Sequence, residues 1–392
     1  MLSDEILQSV RQAVDDVLTS DLYRNYLGQY CDRLAGMLCQ CFSASDALLT
    51  SSGSAALELA LRAAGVGPGD EVLLSAYDYP GNFWAIERSG ARPVLVDLEE
   101  NGWRIDQTAL LQGWQDDSSH TIKALVVSHL HGQLQPISEL RRWCDQQGIM
   151  LIEDACQAVG ASIEGDSVGS FGHASIVSFG GGKVLSCGRG GALMTNDPQL
   201  AQRARIAAGV GSGPYTMSEL QAAVVVAQFP WLERVNAECR QYFTQVAQAL
   251  TSAAVTSPYT SSANGVQQNA FYQAGFLLSG DSGARRGESA SDSGAALTAN
   301  LQYDSRANDS AMLAGWQSRV VGELKVRGVA AGVGFAGFHR RSARRCRTWT
   351  PLLHAAAIAA GTITIHHREA LTARFSPQQL ADLIAITVRP RA

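Results

Sequence analysis

Between residues 47 and 200 the chain repeats one pattern, a short run of apolar residues followed by an amphipathic stretch. The runs are 72–75, 93–97, 124–128 and 150–153, and each is apolar on both faces. A strand of that kind must be covered on both sides, which predicts a parallel sheet between two layers of helices. The stretches between them supply helices over 54–64 and 136–147. The second opens on Pro136, at a position where the missing N–H has no partner to lose. Successive strand–helix–strand units define an α/β fold whose ligands gather at the carboxyl ends of the strands. After Ser170 the pattern changes. Residues 174–179 and 191–195 read as a strand pair joined by the glycine-rich segment 180–190, and helices are expected over 217–227 and 232–250.

The last 140 or so residues have a different texture. The stretch 279–310 is rich in Ser, Gly, Ala and Asp and nearly free of apolar runs, so a flexible insertion is expected there, with order resuming at Trp316. A last helix is expected over 377–386. The division that follows is a large α/β domain over 1–235 and a smaller α+β domain over 236–392, interrupted by that insertion.

Composition narrows the function. Hydrophobic residues make up 46% and charged residues 17%, below the roughly 25% charged content of ordinary domains. Such a chain can bury a large core and hide surface in an oligomer. A net charge of −5 without a basic tail argues against nucleic acid as the partner. No run of about 18 apolar residues exists, so no membrane-spanning helix is expected. The opening Met1-Leu2-Ser3-Asp4-Glu5 is acidic where an export signal carries positive charge, and a cytoplasmic protein is expected. The eight cysteines form no C-x-x-C and read as buried thiols in a reducing compartment.

Several short matches fail in context. Gly332-Val-Gly-Phe-Ala-Gly337 fits a dinucleotide fingerprint but opens no strand–helix unit. Gly165-Asp-Ser-Val-Gly169 resembles a nucleophile elbow, yet both of its flanks are strand-like. Gly280-Asp-Ser-Gly283 falls in the compositionally flexible stretch. The pairs His129/His131 and His366/His367 lack a third ligand at suitable spacing, so no metal is expected.

Three segments carry chemistry. In Thr50-Ser-Ser-Gly-Ser-Ala-Ala-Leu57 a strand end turns through small residues into a helix, whose first N–H groups suit a phosphate. In Leu151-Ile-Glu-Asp-Ala-Cys-Gln-Ala158 an apolar strand ends in two carboxylates. Asp154, the second, lies at the ligand-binding edge, where a buried carboxylate needs a cation such as a protonated ring nitrogen. In Ile176-Val-Ser-Phe-Gly-Gly-Gly-Lys183 a strand delivers a serine, then glycines, then Lys183. The lysines of the chain are Lys123, Lys183 and Lys325, and only Lys183 follows such a run. A lysine that attacks a carbonyl must be neutral part of the time, which a desolvated pocket achieves.

With these segments in order, the chain resembles the fold type I, pyridoxal-phosphate-dependent aminotransferases of the DegT/DnrJ/StrS kind, the sugar aminotransferases. The resemblance also includes Gly69-Asp-Glu-Val72, Gly90-Ala-Arg-Pro-Val-Leu-Val-Asp97, Gly190-Gly-Ala192 and Met217-Ser-Glu-Leu-Gln-Ala-Ala223. It implies that Lys183 holds pyridoxal 5′-phosphate and shuttles a proton, and that Asp154 pairs with the ring N–H. It further implies that Gln157 bonds near the phenolic oxygen, that Ser178 and the N–H groups of Gly53 and Ser54 hold the phosphate, and that Tyr79 stacks on the ring. The implied activity moves an amino group from glutamate or glutamine to a keto-sugar, nucleotide-linked, or to a keto-cyclitol, in a homodimer. Lys183 stands where the family's sugar dehydratases have histidine.

Three positions differ from the family pattern: Pro214 where Asn often reaches the neighbouring subunit's phosphate, Arg189 where Glu is usual, and Asp78 where Thr is common near the ring. In the basic stretch His339–Arg347, His339 and Arg340 are substrate candidates, since arginine forks suit a diphosphate or carboxylate; a solvated charged face is the plainer alternative. Two other functions stay open, a pyridoxal-phosphate-dependent lyase or dehydratase acting on an amino acid, and a non-catalytic cofactor-bound sensor or scaffold.

Overall fold

The computed structural model describes residues 4–388 apart from 210–212, 251, 253, 260–265, 279–297 and 373. Its centre is an eight-stranded sheet. The strands are β1 (Asp46–Thr50), β2 (Glu71–Ser75), β3 (Arg92–Val96), β4 (Ile122–Ser128), β5 (Met150–Asp154), β6 (Ala174–Ser178), β7 (Gly191–Thr195) and β8 (Arg347–Thr348). They lie in the order β1-β7-β6-β5-β4-β2-β3-β8. β2, β3, β4, β5, β6 and β8 are mutually parallel, and β7 runs against both β6 and β1. The expected parallel core and the expected β6–β7 pair, with Ile176 opposite Leu193, are therefore both present.

The both-face apolar pattern has the physical consequence expected of it. Leu73, Leu125, Leu151 and Val177 face one core, while Val72, Leu74, Val126 and Ile176 face another on the opposite side, all fully buried. Burying each such side chain contributes about 1.5–3 kcal/mol. Helices cover both faces: α2 (Gln29–Cys41), α3 (Gly53–Ala63), α4 (Pro80–Arg88), α5 (Gln107–Asp116), α6 (Ile137–Gln147), α7 (Pro198–Ala208) and α8 (Glu219–Gln228), while α1 (Asp4–Thr19) packs on α8. Their ends are set by local chemistry. The Ser52 hydroxyl caps α3 by accepting from the Ala55 N–H, and Ser218 with Gln221 forms a reciprocal box at α8.

A second, antiparallel sheet runs Val255–Thr256, Gln273–Leu278, Thr362–His366, Ala331–Val333. α9 (Leu232–Ala249), α10 (Thr298–Val326) and a last helix, Pro377–Thr387, pack on it around Phe243, Phe276, Leu324 and Ile384. Between Ala331 and Thr362 the chain returns to the large sheet, adding β8 and burying Phe338 and Ile358 in its core. The stretch 279–310 differs from its expected form. Residues 279–297 lie outside the described residues, but α10 begins at Thr298, well before Trp316. Alanines and leucines at 299, 301, 307, 311 and 313 favour helix there, and the Ser and Asp residues among them obscured that propensity.

Candidate active site

Parallel strands place their carboxyl ends on one rim, and the polar side chains converge there. Ser128 ends β4 opposite Asp154 at the end of β5. Asp154 is 5% exposed. Its Oδ1 accepts from the Cys156 N–H at 2.9 Å, and its Oδ2 accepts from Asn82 Nδ2 at 2.8 Å and Ser128 Oγ at 3.2 Å. Asp78, in the turn between β2 and α4, is fully buried beside it. Asp78 accepts from the Tyr79 N–H at 2.6 Å, from Ser128 Oγ at 2.9 Å and from Asn82 Nδ2 at 3.2 Å. Burial, and then the charge of Asp154, push the Asp78 carboxyl up to about 8. Among the described residues neither carboxylate forms an ion pair.

Glu153, one residue earlier, is built differently. Its oxygens accept from the N–H groups of Gly169 (2.6 Å), Phe171 (2.9 Å) and Gly172 (2.9 Å), and Oε1 pairs with His129 Nε2 at 3.1 Å. The Gln135 N–H donates to His129 Nδ1, which leaves Nε2 to carry the proton toward Glu153. This carboxylate pins a turn, and the His129/His131 pair binds separate partners, with no metal-binding group of three among the described residues.

Lys183 follows β6 in the glycine-rich loop, where Gly181 takes a left-handed φ of 60°. Its ammonium lies 3.9 Å from the centre of the Tyr272 ring. Burial lowers its pKa, against the opposing pull of Cys156 and Asp154. His131 faces it from the β4 side. Burial and the lysine charge hold that imidazole down to about 3, so it is neutral. His131 Nε2 meets Tyr77 Oη at 2.9 Å, and the Gln157 side-chain oxygen accepts from the His131 N–H at 3.2 Å. Its Nδ1 is buried with no partner among the described residues.

At the start of α3, Gly53 and Ser54 present N–H groups the helix itself cannot pair. A Cβ on Gly53 would lie 2.9 Å from Ser178 Cβ and 3.1 Å from Cys156 Sγ, so only glycine lets these three segments meet. Gly81 plays the same part for Tyr79: a Cβ there would strike the Tyr79 ring and sit 2.7 Å from Ser54 Oγ. Tyr79 is 46% exposed, its ring edge-on to Phe335 at 5.8 Å. Gly53, Ser54, Ser178 and Cys156 therefore meet at one place, with Tyr79 against Ser54 and with Lys183 in electrostatic reach of Asp154 and Cys156.

His339 and Arg340 stand apart from the Asp154 cluster. Their segment docks on the rim, with the Phe335 N–H donating to Tyr77 Oη at 2.9 Å and the Phe338 N–H to the Ala76 carbonyl at 2.7 Å. His339 is half-buried, its Nδ1 without a partner among the described residues, and Arg340 is exposed. Farther along the stretch, Arg345 grips both oxygens of Glu87, and Arg347 binds Glu71 and Asp117. Sequence reasoning missed Asn82, Ser128, His131 and Tyr272 as site residues. It marked Asp78 only as an unusual neighbour of the ring.

The donor set suits pyridoxal phosphate on this structure's own terms. Two buried carboxylates with no paired cation among the described residues fit a protonated ring nitrogen, a lysine of lowered basicity fits the carbonyl carbon, and the α3 terminus with Ser178 fits the phosphate.

Known proteins agree with the architecture. 3-Amino-5-hydroxybenzoic acid (AHBA) synthase superposes with a TM-score of 0.79 over 97% of this chain and 96% of its own, at 22% identity, which establishes a shared fold. The fold is that of the type I pyridoxal-phosphate-dependent enzymes. The chain is 31% identical over 250 residues to the pleiotropic regulatory protein of Geobacillus stearothermophilus, covering 61% of this chain and 66% of that one. It is 36% identical over 205 residues to the GDP-perosamine synthase of Caulobacter vibrioides, covering 48% and 53%. The matched regions thus span between half and two thirds of these relatives. A match to the DegT/DnrJ/EryC1/StrS aminotransferase family runs over residues 4–288, and by that extent the protein belongs to this family.

Proposed function

We propose that the protein is a pyridoxal-phosphate-dependent aminotransferase that moves an amino group from glutamate or glutamine to a keto-sugar, nucleotide-linked, or to a keto-cyclitol. The observation that carries this reading is the convergence of Lys183 with a buried carboxylate, Asp154, that has no ion-pair partner among the described residues. The name of the similar GDP-perosamine synthase supports a nucleotide-linked sugar as acceptor.

Bound at this site, the cofactor would supply an electron sink for the bond-breaking at the substrate's amino carbon. The chain's own residues would do the rest. Asp154 would hold the ring N–H, Ser178 with the Gly53 and Ser54 N–H groups would hold the phosphate, and Tyr79 would cover the ring. Gln157 would bond near the phenolic oxygen. The Nζ of Lys183, kept less basic by burial, would accept a proton and return it at the neighbouring carbon. Low charged content fits a homodimer in which part of this surface is covered. No helix among the described residues is long and apolar enough to cross a membrane.

The test is spectroscopic. Protein loaded with pyridoxal phosphate should absorb near the visible, and glutamate or glutamine should bleach that band. Lys183→Ala should lack the band and lose about 10³-fold in amine transfer. A protein that takes up no cofactor, or a Lys183→Ala variant with full activity, sinks the reading. A band that amino donors never bleach would instead point to a lyase or a sensor.

A further inference from the structure

Proton counting in the Asp78–Asp154 cluster leaves a deficit. Five contacts join Asn82, Ser128 and the two carboxylates. Asn82 and Ser128 bring three hydrogens to them, two amide and one hydroxyl. The N–H groups of Tyr79 and Cys156 are occupied with the Oδ1 atoms of Asp78 and Asp154. Ser128 Oγ lies 2.9 Å from Asp78 Oδ2 and 3.2 Å from Asp154 Oδ2, yet it can donate to one of them at a time. A proton on one carboxyl, donated to Ser128 Oγ, closes the second of the two Ser128–carboxylate contacts. Two like charges this close and this buried also cannot both persist without a cation.

We propose that Asp78 is a positioning residue that stores one proton for Asp154 and gives it up when the protonated ring of pyridoxal phosphate binds. The inference rests on the cofactor reading above. The balance holds whichever form of the ligand arrives. A ligand already protonated on its ring nitrogen displaces the Asp78 proton to the buffer. A ligand that is unprotonated receives that proton, and none is drawn from the buffer. In Asp78→Asn the first ligand displaces nothing and the second must take a proton from solution. The wild type therefore releases one proton more, or takes up one fewer, than the variant in either case.

The titratable groups that face the cluster do not blur this difference near neutral pH. They are Asp154 and Cys156 beyond β5, Tyr77 beyond β2, Lys183 on the glycine-rich loop and His131 behind it. Burial raises the Cys156 thiol and the Tyr77 phenol, and it lowers His131 to about 3, so all three stay neutral. Lys183 is common to wild type and variant. An Asp78 carboxyl raised to about 8 is the source of the stored proton.

The experiment uses 4′-deoxypyridoxine 5′-phosphate, which has no aldehyde to react with Lys183, titrated into cofactor-free protein by calorimetry in buffers of different ionisation enthalpy. At about pH 7 the wild type should release up to about one proton more per site than Asp78→Asn, and the ratio of their dissociation constants should change up to about tenfold per pH unit. The difference should vanish by about pH 10, where Asp78 is already ionised. Asp78→Thr provides a second proton-free variant if Asp78→Asn does not fold. Infrared spectra need no variant: cofactor-free wild type at neutral pH should show a protonated carboxyl band that is lost on ligand binding. Equal proton counts, or no such band, overturn the proposal alone. Failure of wild type to bind both this probe and pyridoxal phosphate overturns the cofactor reading along with it.

Discussion

The two rims of the large sheet treat their acids in opposite ways. At the amino ends, Glu71 begins β2 with Arg347 of β8 bound to both its oxygens and Arg92 of β3 at 4.0 Å. Asp117 shares the same Arg347 at 2.8 Å. At the carboxyl ends, Asp78 and Asp154 are more deeply buried and, among the described residues, are met by neutral donors alone, Asn82, Ser128 and two backbone N–H groups. Carboxylates whose role is to hold the fold receive their cations from the chain. Carboxylates left in need of one mark the rim where a cationic ligand group would be stabilised. Glu153 shows that depth is not the distinction. It is fully buried at the carboxyl rim, but His129 and three N–H groups saturate it.

That contrast can be broken most severely at Asp154. Asp154→Ala should reduce amine transfer by about 10²–10³-fold, because it removes the charge proposed to hold the ring nitrogen. The stability of the cofactor-free protein should change by only about 1 kcal/mol, since the Cys156 N–H loses its partner while Asn82 and Ser128 keep Asp78. Activity and thermal unfolding measured on the same preparation check both halves. A large loss of stability would place Asp154 with the structural acids.

Glu153→Ala is the mirror experiment. It strands the N–H groups of Gly169, Phe171 and Gly172 in the interior together with His129. Each unpaired group is costly, and a total of about 3 kcal/mol is expected in denaturant unfolding. Protein that remains folded should still bind the cofactor with an unshifted absorption band. A normal midpoint with a lost band would reverse the roles assigned to these adjacent residues.

Much of this division was legible in the chain before any coordinates. Asp154 could be singled out because it ends an apolar run, and Lys183 because a serine and three glycines precede it. What surrounds Asp154 could not. Asp78, Asn82 and Ser128 come from a turn, a helix and a strand end, and they meet only because β4 lies between β2 and β5. Strand order is a global property, with no trace in the spacing of 78, 82 and 128. The arginines at 345 and 347 misled for the same reason. Their acids, at 71, 87 and 117, are far off in sequence, so paired arginines read as part of one uniform basic cluster.

The amino rim predicts a smaller, acid-sensitive effect. Burial would raise Asp117, but Arg347 and Ser119 bring it down to about 2. A carboxylate depressed in the folded state stabilises it above the unfolded value of 3.8, and that contribution is lost as pH falls through about 2. Arg347→Ala should cost about 1–2 kcal/mol near pH 7, reflecting partly buried acids left unpaired. The difference from wild type should shrink on acidification over that window. A constant difference down to pH 2 would mean that Arg347 acts through packing of its stem instead.

The smallest stability effect is expected at Arg340, and it decides whether the basic stretch belongs to one rim or to both. Arg345 and Arg347 are committed to Glu87, Glu71 and Asp117. Arg340 is exposed, on a segment whose Phe335 touches both Tyr77 and Tyr79 at the carboxyl rim. An exposed arginine contributes little to folding, so Arg340→Ala should shift stability by less than about 0.5 kcal/mol. If its fork receives the diphosphate of a nucleotide-linked sugar, the KM for that acceptor should rise about fivefold to tenfold, with kcat and the KM for the amino donor unchanged. Such a split separates acceptor binding from chemistry, because the donor half of the reaction never meets the diphosphate. An unchanged acceptor KM would return Arg340 to the solvated face and leave acceptor recognition to groups closer to Lys183.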